Sequence, residues 1–321
     1  MEQQANRTSR LAFQFPGQGS QYVGMGKALA ERFASARRTF DEADDILGFG
    51  LSQLCFEGPA EALTDTVNAQ PAILATSIAA LRALAEATDG PIAPDYFIGH
   101  SLGEYSALIA ANALTFADGL RLVRLRGELM REAGEVRPGG MLAVIGLDAA
   151  VLHDICAKVS EDERVVQVAN DNAPGQVVLS GDLQALQRAA ELAKESGARR
   201  VVRLAVSIAA HSRLMAHAAD GLRRAVQAVA LRPPAVPVVA NVDARPIHTP
   251  EDVRRELVEQ LTAPVRWTDS IRELARRGVS RFVEIGPGSV LTGLVSRITQ
   301  TASAVSIGDP EAVLAFAEAW R

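Results

Sequence analysis

Leu11 to Phe15 alternates like a short strand and runs into a Gly-rich turn, Pro16 to Ser20. Leu29, Phe33, Ala36, Phe40, Ala43 and Leu47 then recur at spacings of four and three, the stripe of one amphipathic helix. The chain therefore opens strand, loop, helix. The same order returns at Tyr96 to Gly99 followed by Ser101 to Ala113. It returns again at Arg281 to Ile285, followed by Gly286, Pro287, Gly288 and an apolar helical run. Strands that alternate with helices predict a parallel sheet covered by helices on both faces.

Between Met141 and Leu204 the pattern changes. It predicts a strand (Met141 to Ile145), a helix (Ala149 to Val159) and two strands (Val165 to Ala169, Gln176 to Leu179), then a helix (Leu183 to Glu195) and a strand (Val201 to Leu204). Turn formers from Asn170 to Gly175 mark the hairpin, and Gly134, Pro138, Gly139 and Gly140 mark the entry. The order βαββαβ is the ferredoxin-like arrangement. The expectation is a small ferredoxin-like domain over 136–206, inserted into a large α/β domain made of 1–135 and 207–321.

Composition narrows the function classes. A chain of 321 residues, 48% hydrophobic and 22% charged, has ample core material. Lys and Arg number 33 against 38 Asp and Glu, a formal charge of −5, which is not the basic field of a nucleic-acid protein. Cys55 and Cys156 are too few for a disulfide scaffold or a Cys-based zinc site and favour a reducing compartment. Met1 to Arg10 is polar with no apolar signal core, and the apolar run around Ile73 to Leu81 stops at Arg82, short of a membrane span. A soluble cytoplasmic protein is expected.

Gly99, His100, Ser101, Leu102 and Gly103 form a GxSxG sequence between an apolar strand and an apolar helix. In that context it predicts a nucleophile elbow: glycines flank the serine because a Cβ there would clash, and the hydroxyl is displayed at a helix N-terminus. Such a serine needs a base near neutrality. Of the five histidines, His100 adjoins Ser101 at a tight turn and reads as structural, while His153 and His248 read as solvent-exposed. His211 follows the apolar run Val206 to Ala210 at a loop before a helix, so it is the candidate base, with His217 in reserve.

Thr115 with Asp118 reads as a capping box and Gly134 as a stop, predicting a helix over Asp118 to Ala133 with a stripe of Leu122, Leu125, Leu129 and Ala133. Arg121, Arg124, Glu128 and Arg131 gather on the opposite face, whereas Arg126 falls within the stripe, one turn before Met130. A guanidinium buried there stays ionised and needs an anion, either an internal carboxylate or one on a ligand. A structural salt bridge or a snorkelling stem accounts for the position equally well at this level. The turn Gly17 to Gln21 lacks the Lys of a phosphate loop and the GxGxxG spacing, but it can bring backbone N–H groups and the Gln18 amide to the end of the first strand, where an oxyanion would be met.

Several stretches together resemble the malonyl-CoA:acyl carrier protein transacylases: Phe15-Pro-Gly-Gln-Gly-Ser-Gln21, Gly99-His-Ser-Leu-Gly-Glu-Tyr-Ser106, the Arg126-Gly127 helix and Ala169-Asn-Asp-Asn-Ala-Pro-Gly-Gln176. His211-Ser212, Gln260 with Pro264-Val-Arg-Trp267, and Phe282-Val-Glu-Ile-Gly-Pro-Gly288 resemble the same family. The likeness runs in order from about Leu11 to Leu294, and acyltransferase domains of polyketide synthases share these motifs. It implies an α/β-hydrolase-like large domain, Ser101 as nucleophile, His211 as base and Arg126 as the carboxylate-binding group. It further implies an oxyanion hole from the N–H groups of Leu102 and Gln18, and a main-chain carbonyl at Gln260 that orients the histidine. Where relatives often have Pro-Ser or an aromatic residue before the histidine, this chain has Ile208, Ala209 and Ala210, so the acyl pocket expected at Met130 and Ala210 has room for an α-substituent.

The activity so implied is ping-pong transfer of malonyl from malonyl-CoA, through an ester on Ser101, to the phosphopantetheine thiol of a holo acyl carrier protein, with no metal or redox cofactor. Carrier proteins of this kind are acidic, and Arg199 and Arg200 offer them a contact, although a solvated basic patch explains the pair as well. A trans-acting polyketide acyltransferase of broader specificity, a serine acyl hydrolase and an idle interaction subunit are the rivals.

Overall fold

The computed structural model describes residues 10–321, so of the polar stretch Met1 to Arg10 only Arg10 lies among the described residues. In chain order the strands are β1 (Arg10–Phe15), β2 (Tyr96–Gly99), β3 (Gly139–Ile145), β4 (Val166–Ala173), β5 (Gln176–Asp182), β6 (Arg200–Arg203), β7 (Val238–Val239), β8 (Pro246–Ile247), β9 (Val279–Ile285) and β10 (Ser303–Ile307). They form two sheets. The larger has the order β10-β9-β1-β2-β7-β8 and is parallel except for the antiparallel edge strand β8. Both its faces are covered. Leu11, Phe13 and Phe15 enter one core, shared with the helices Ala34–Leu47 and Thr66–Ala87. Ala12, Ile98 and Phe282 enter the other, with the helices Trp267–Arg276 and Val290–Ile298. Burial on two sides is why these strands read as nearly continuous apolar runs.

The second sheet, β4-β5-β3-β6, is antiparallel throughout, and the helices Ala149–Val159 and Leu183–Glu195 complete a ferredoxin-like unit with its own core around Val144, Leu152, Val168 and Leu179. Among the described residues no helix is long and apolar enough to cross a membrane.

Four local expectations are corrected. The stripe from Leu29 to Leu47 is two helices, Lys27–Arg32 and Ala34–Leu47, because Phe33 is extended; the second gains a cap from afar, Ser35 N–H donating to Glu86 Oε2 at 2.8 Å. Gly134 stops nothing. The helix runs Phe116–Val136, and Gly134 is a packing position where a Cβ would stand 2.8 Å from Ile208 Cγ2. The elbow helix is Gly103–Ala110, starting later than Ser101 and ending before Ala113. The hairpin turn shrinks to Pro174 and Gly175, because Asn170 to Asn172 belong to β4, with register shifts on either side. That extension binds the small sheet to the large body: Asp171 N–H donates to Val265 O at 3.0 Å and Val265 N–H to Ala169 O at 2.8 Å.

Candidate active site

Ser101 sits between β2 and the helix Gly103–Ala110 with φ of 50°, the left-handed conformation of a sharp elbow. The flanking glycines are obligatory. A Cβ on Gly99 would lie 2.0 Å from the Gly103 carbonyl group, and one on Gly103 would lie 2.1 Å from Phe15 O. Asn241, just past β7, holds the turn from outside: its Oδ1 accepts from Ser101 N–H at 2.7 Å and its Nδ2 donates to Gly99 O at 2.8 Å.

His211 Nε2 lies 2.8 Å from Ser101 Oγ, and Nδ1 lies 2.7 Å from the main-chain carbonyl of Gln260. A carbonyl only accepts, so Nδ1 carries the hydrogen and Nε2 presents its lone pair to the serine hydroxyl. Burial, and then the charge of Arg126, push the imidazole down to about 3, so it is neutral at physiological pH. The clamp is tightened from the small sheet: Gln167 Nε2 donates to both His211 O and Thr262 O, at 3.0 and 3.1 Å, across the segment that carries Gln260.

Arg126 is only 2% exposed, so its stem does not snorkel. Its fork meets three neutral oxygens: Nη1 donates to Gln70 Oε1 at 2.7 Å, and Nη2 to Gln260 Oε1 at 3.0 Å and to Ser101 Oγ at 3.1 Å. No carboxylate among the described residues forms an ion pair with it, so the structural salt bridge that the helix pattern allowed is absent. A buried guanidinium beside a serine hydroxyl, with no carboxylate touching it, can receive an anionic ligand.

Ser101, His211 and Arg126 converge on one cavity of about 440 Å³, which Gln18, Met130 and Ala210 also line. Leu102 is fully buried as the N-cap of the elbow helix, and the Gln18 side chain accepts from Thr66 Oγ1 at 3.0 Å. Of the other histidines, only His100 lines the cavity. His100 Nε2 bonds Asn172 Oδ1 at 2.8 Å; His153, His217 and His248 are exposed, with His217 4.0 Å from Glu132. Arg199 and Arg200 are exposed and do not line the cavity; Arg200, on β6, pairs with Ile145 of β3, whose other neighbour, Gln176 of β5, does line it. No group of three or more His, Cys, Asp or Glu among the described residues can hold a metal ion.

Sequence reasoning passed over Asn241, Gln70, Glu104 and Glu256. The last two carried the signal that exposed Arg126: Glu104 is the only charged residue of a buried, largely apolar helix, and Glu256 stands three residues after Val253 on the same buried face.

The model of the acyl transferase domain family matches residues 12–314. The chain is 48% identical over 305 residues to the malonyl CoA-acyl carrier protein transacylase of Bacillus subtilis (strain 168), covering 95% of each chain. This chain belongs to the acyl transferase domain family. Among solved structures, an acyl carrier protein S-malonyltransferase from Vibrio cholerae superposes with a TM-score of 0.92 at 42% identity, covering 96% of this chain and 100% of that one. A malonyl-transacylase solved in complex with its type II PKS acyl-carrier protein gives 0.92 at 43%, covering 97% and 100%. The polyketide biosynthesis protein ThaF of Burkholderia thailandensis is 47% identical over 290 residues, 90% of this chain and 24% of that protein. The chain is thus an acyltransferase whose fold and family agree.

Proposed function

We propose that the protein moves a malonyl group from malonyl-CoA to the phosphopantetheine thiol of a holo acyl carrier protein. The observation that carries this reading is the buried Arg126 fork, which lacks a carboxylate partner and lies 3.1 Å from the nucleophile oxygen. Ser101 Oγ attacks the thioester carbonyl while His211 Nε2 takes its proton. The N–H groups of Leu102 and Gln18 receive the oxyanion, and Arg126 receives the distal carboxylate as a bidentate pair. CoA thiolate leaves with the proton returned by His211, and a malonyl ester remains on Ser101. The carrier thiol then attacks that ester with the same base. A thiolate is a good leaving group, which suits a histidine oriented by a carbonyl rather than a carboxylate. The protein's own side chains and backbone, with the two substrates, supply every step, so the reading calls for no cofactor. Arg199 and Arg200, two strands from Gln176, are offered as contacts for an acidic carrier.

Brief mixing with malonyl-CoA adds one malonyl mass to the intact protein, and Ser101→Ala abolishes the addition while the fold survives. Labelling that persists in Ser101→Ala overturns the assignment. Given holo carrier, the label moves to the carrier; fast release of free malonate regardless of carrier makes the protein a hydrolase instead.

A further inference from the structure

Two carboxyl groups lie behind the reacting residues, and the mechanism above does not use them. Glu104 is 0% and Glu256 3% exposed, on different helices, Gly103–Ala110 and Pro250–Glu259. Their carboxyl groups face each other, Oε1 of each sharing one backbone amide hydrogen. Asn241 N–H reaches both, 2.8 Å from Glu256 Oε1 and 3.1 Å from Glu104 Oε1, and Val242 N–H donates to Glu256 Oε1 at 3.0 Å. Gln260 Nε2 donates to Glu104 Oε2 and also to Ser101 O, the latter at 3.1 Å.

Two carboxylates in contact and out of water do not both stay ionised. Glu256 Oε1 alone takes two backbone N–H groups, and Glu104 is the more deeply buried, so the charge rests on Glu256 and the proton belongs to Glu104, which donates it to Glu256. The pair then carries one negative charge, which matches the single positive charge of Arg126, reached from Glu104 through the Gln260 amide. We propose that Glu104 and Glu256 share one buried proton and together position Gln260 and Asn241, and through them Ser101, His211 and Arg126. With its Nε2 fixed on Glu104, Gln260 must turn Oε1 to Arg126 and keep its main-chain carbonyl on His211. With its N–H fixed on the pair, Asn241 turns Oδ1 to Ser101 N–H. Burial raises both carboxyls, that of Glu256 to about 7. Tyr105, Arg126 and Asp243 are the other ionisable groups that bear on the pair.

The positioning rests on Ser101 as the nucleophile but not on the identity of the acyl group, so the test uses an uncharged fluorophosphonate that labels serine, followed by intact mass. Glu104→Ala slows labelling of Ser101 by about 100-fold, the scale of a small misplacement of reacting groups. Glu104→Gln, neutral and of the same shape, restores most of the rate, whereas Glu256→Gln, which removes the charge, stays slow. Infrared difference spectroscopy of the wild-type protein shows the carbonyl band of a protonated carboxylic acid, lost in Glu104→Gln and kept in Ser101→Ala. Glu104→Gln as slow as Glu104→Ala, or a wild-type protein without that band, overturns the proposal. If Glu104→Ala does not fold, the contrast between the two Gln variants and the infrared band decide alone. Normal labelling combined with failed malonyl transfer would count against the function proposed above and not against the pair.

Discussion

Truncating Arg126 to Ala separates a substrate-binding arginine from one that merely holds the fold. In the free protein its fork spans Gln70 and Gln260, with Nη2 also on Ser101 Oγ. An acyl group with a distal carboxylate gains charge-assisted hydrogen bonds from this fork, each contributing about 1.5–3 kcal/mol. Allowing for the neutral contacts given up to make them, the loss for malonyl-CoA is about 2–4 kcal/mol, or roughly 30- to 1,000-fold in kcat/KM. Acetyl-CoA never makes that contact. It has something to gain, because the Arg126 charge is one of the causes that hold His211 at about 3, and its removal leaves a stronger base. The variant therefore loses malonyl transfer while acetyl transfer holds or rises. Arg126→Lys falls between, since one ammonium cannot span Gln70 and Gln260 as a planar fork does. The assay is kcat/KM for both thioesters in wild type and variants, alongside melting curves. Equal losses for the two substrates, with a lowered melting temperature, would refute the reasoning and make Arg126 a structural residue.

Further outcomes follow from the same geometry. His211→Ala slows acylation of Ser101 by roughly 100-fold or more in rapid-quench measurements, while His217→Ala, exposed and remote, does not; the reverse pattern would move the base to His217. His211 is near 3 when folded against about 6.5 in the unfolded chain, so between those values the unfolded state binds a proton that the native state refuses. Stability contributed by the neutral imidazole therefore falls as pH drops from 6.5 toward 3, by up to about 5 kcal/mol, and denaturation curves of His211→Gln should lack that slope. For Glu256 the sign is opposite: its raised carboxyl favours the folded state below its unfolded value and loses that advantage as pH rises through about 7, so Glu256→Gln gains relative stability in alkali. Gly103→Ala, with its Cβ 2.1 Å from Phe15 O, disrupts the elbow, and soluble variant with full acylation activity would contradict the packing.

What the sequence disclosed and what it hid divide along distance in the chain. The elbow was readable because its glycines and its flanking strand and helix lie in one short stretch, Tyr96 to Ala110. The two helices of the small unit came out to the residue because their apolar period and flanking turn formers are local. Burial of Arg126 was likewise visible on the helix pattern. Its partners were not, since Gln70 and Gln260 lie 56 residues before it and 134 after it. The break at Phe33 left no local mark because the helical period runs through it and the stabilising carboxylate of Glu86 lies 51 residues from Ser35. Asn170 to Asn172 read as turn formers because nothing nearby reveals Val265, the distant backbone that makes them strand.

The separations among the groups around Ser101 also have a consequence for how the protein comes into being. The side chains that hold its oxygen and backbone belong to residues that follow it by between 25 and 159 positions, the farthest being Gln260. A polypeptide emerging from the ribosome with Ser101 already outside thus carries an ordinary hydroxyl: the imidazole has no carbonyl to fix its tautomer, and the elbow has no Asn241 to hold it. Reactivity switches on only after translation has passed Gln260, late in the chain. Any product abandoned earlier is chemically silent, and an unfinished enzyme cannot squander thioesters by acylating itself.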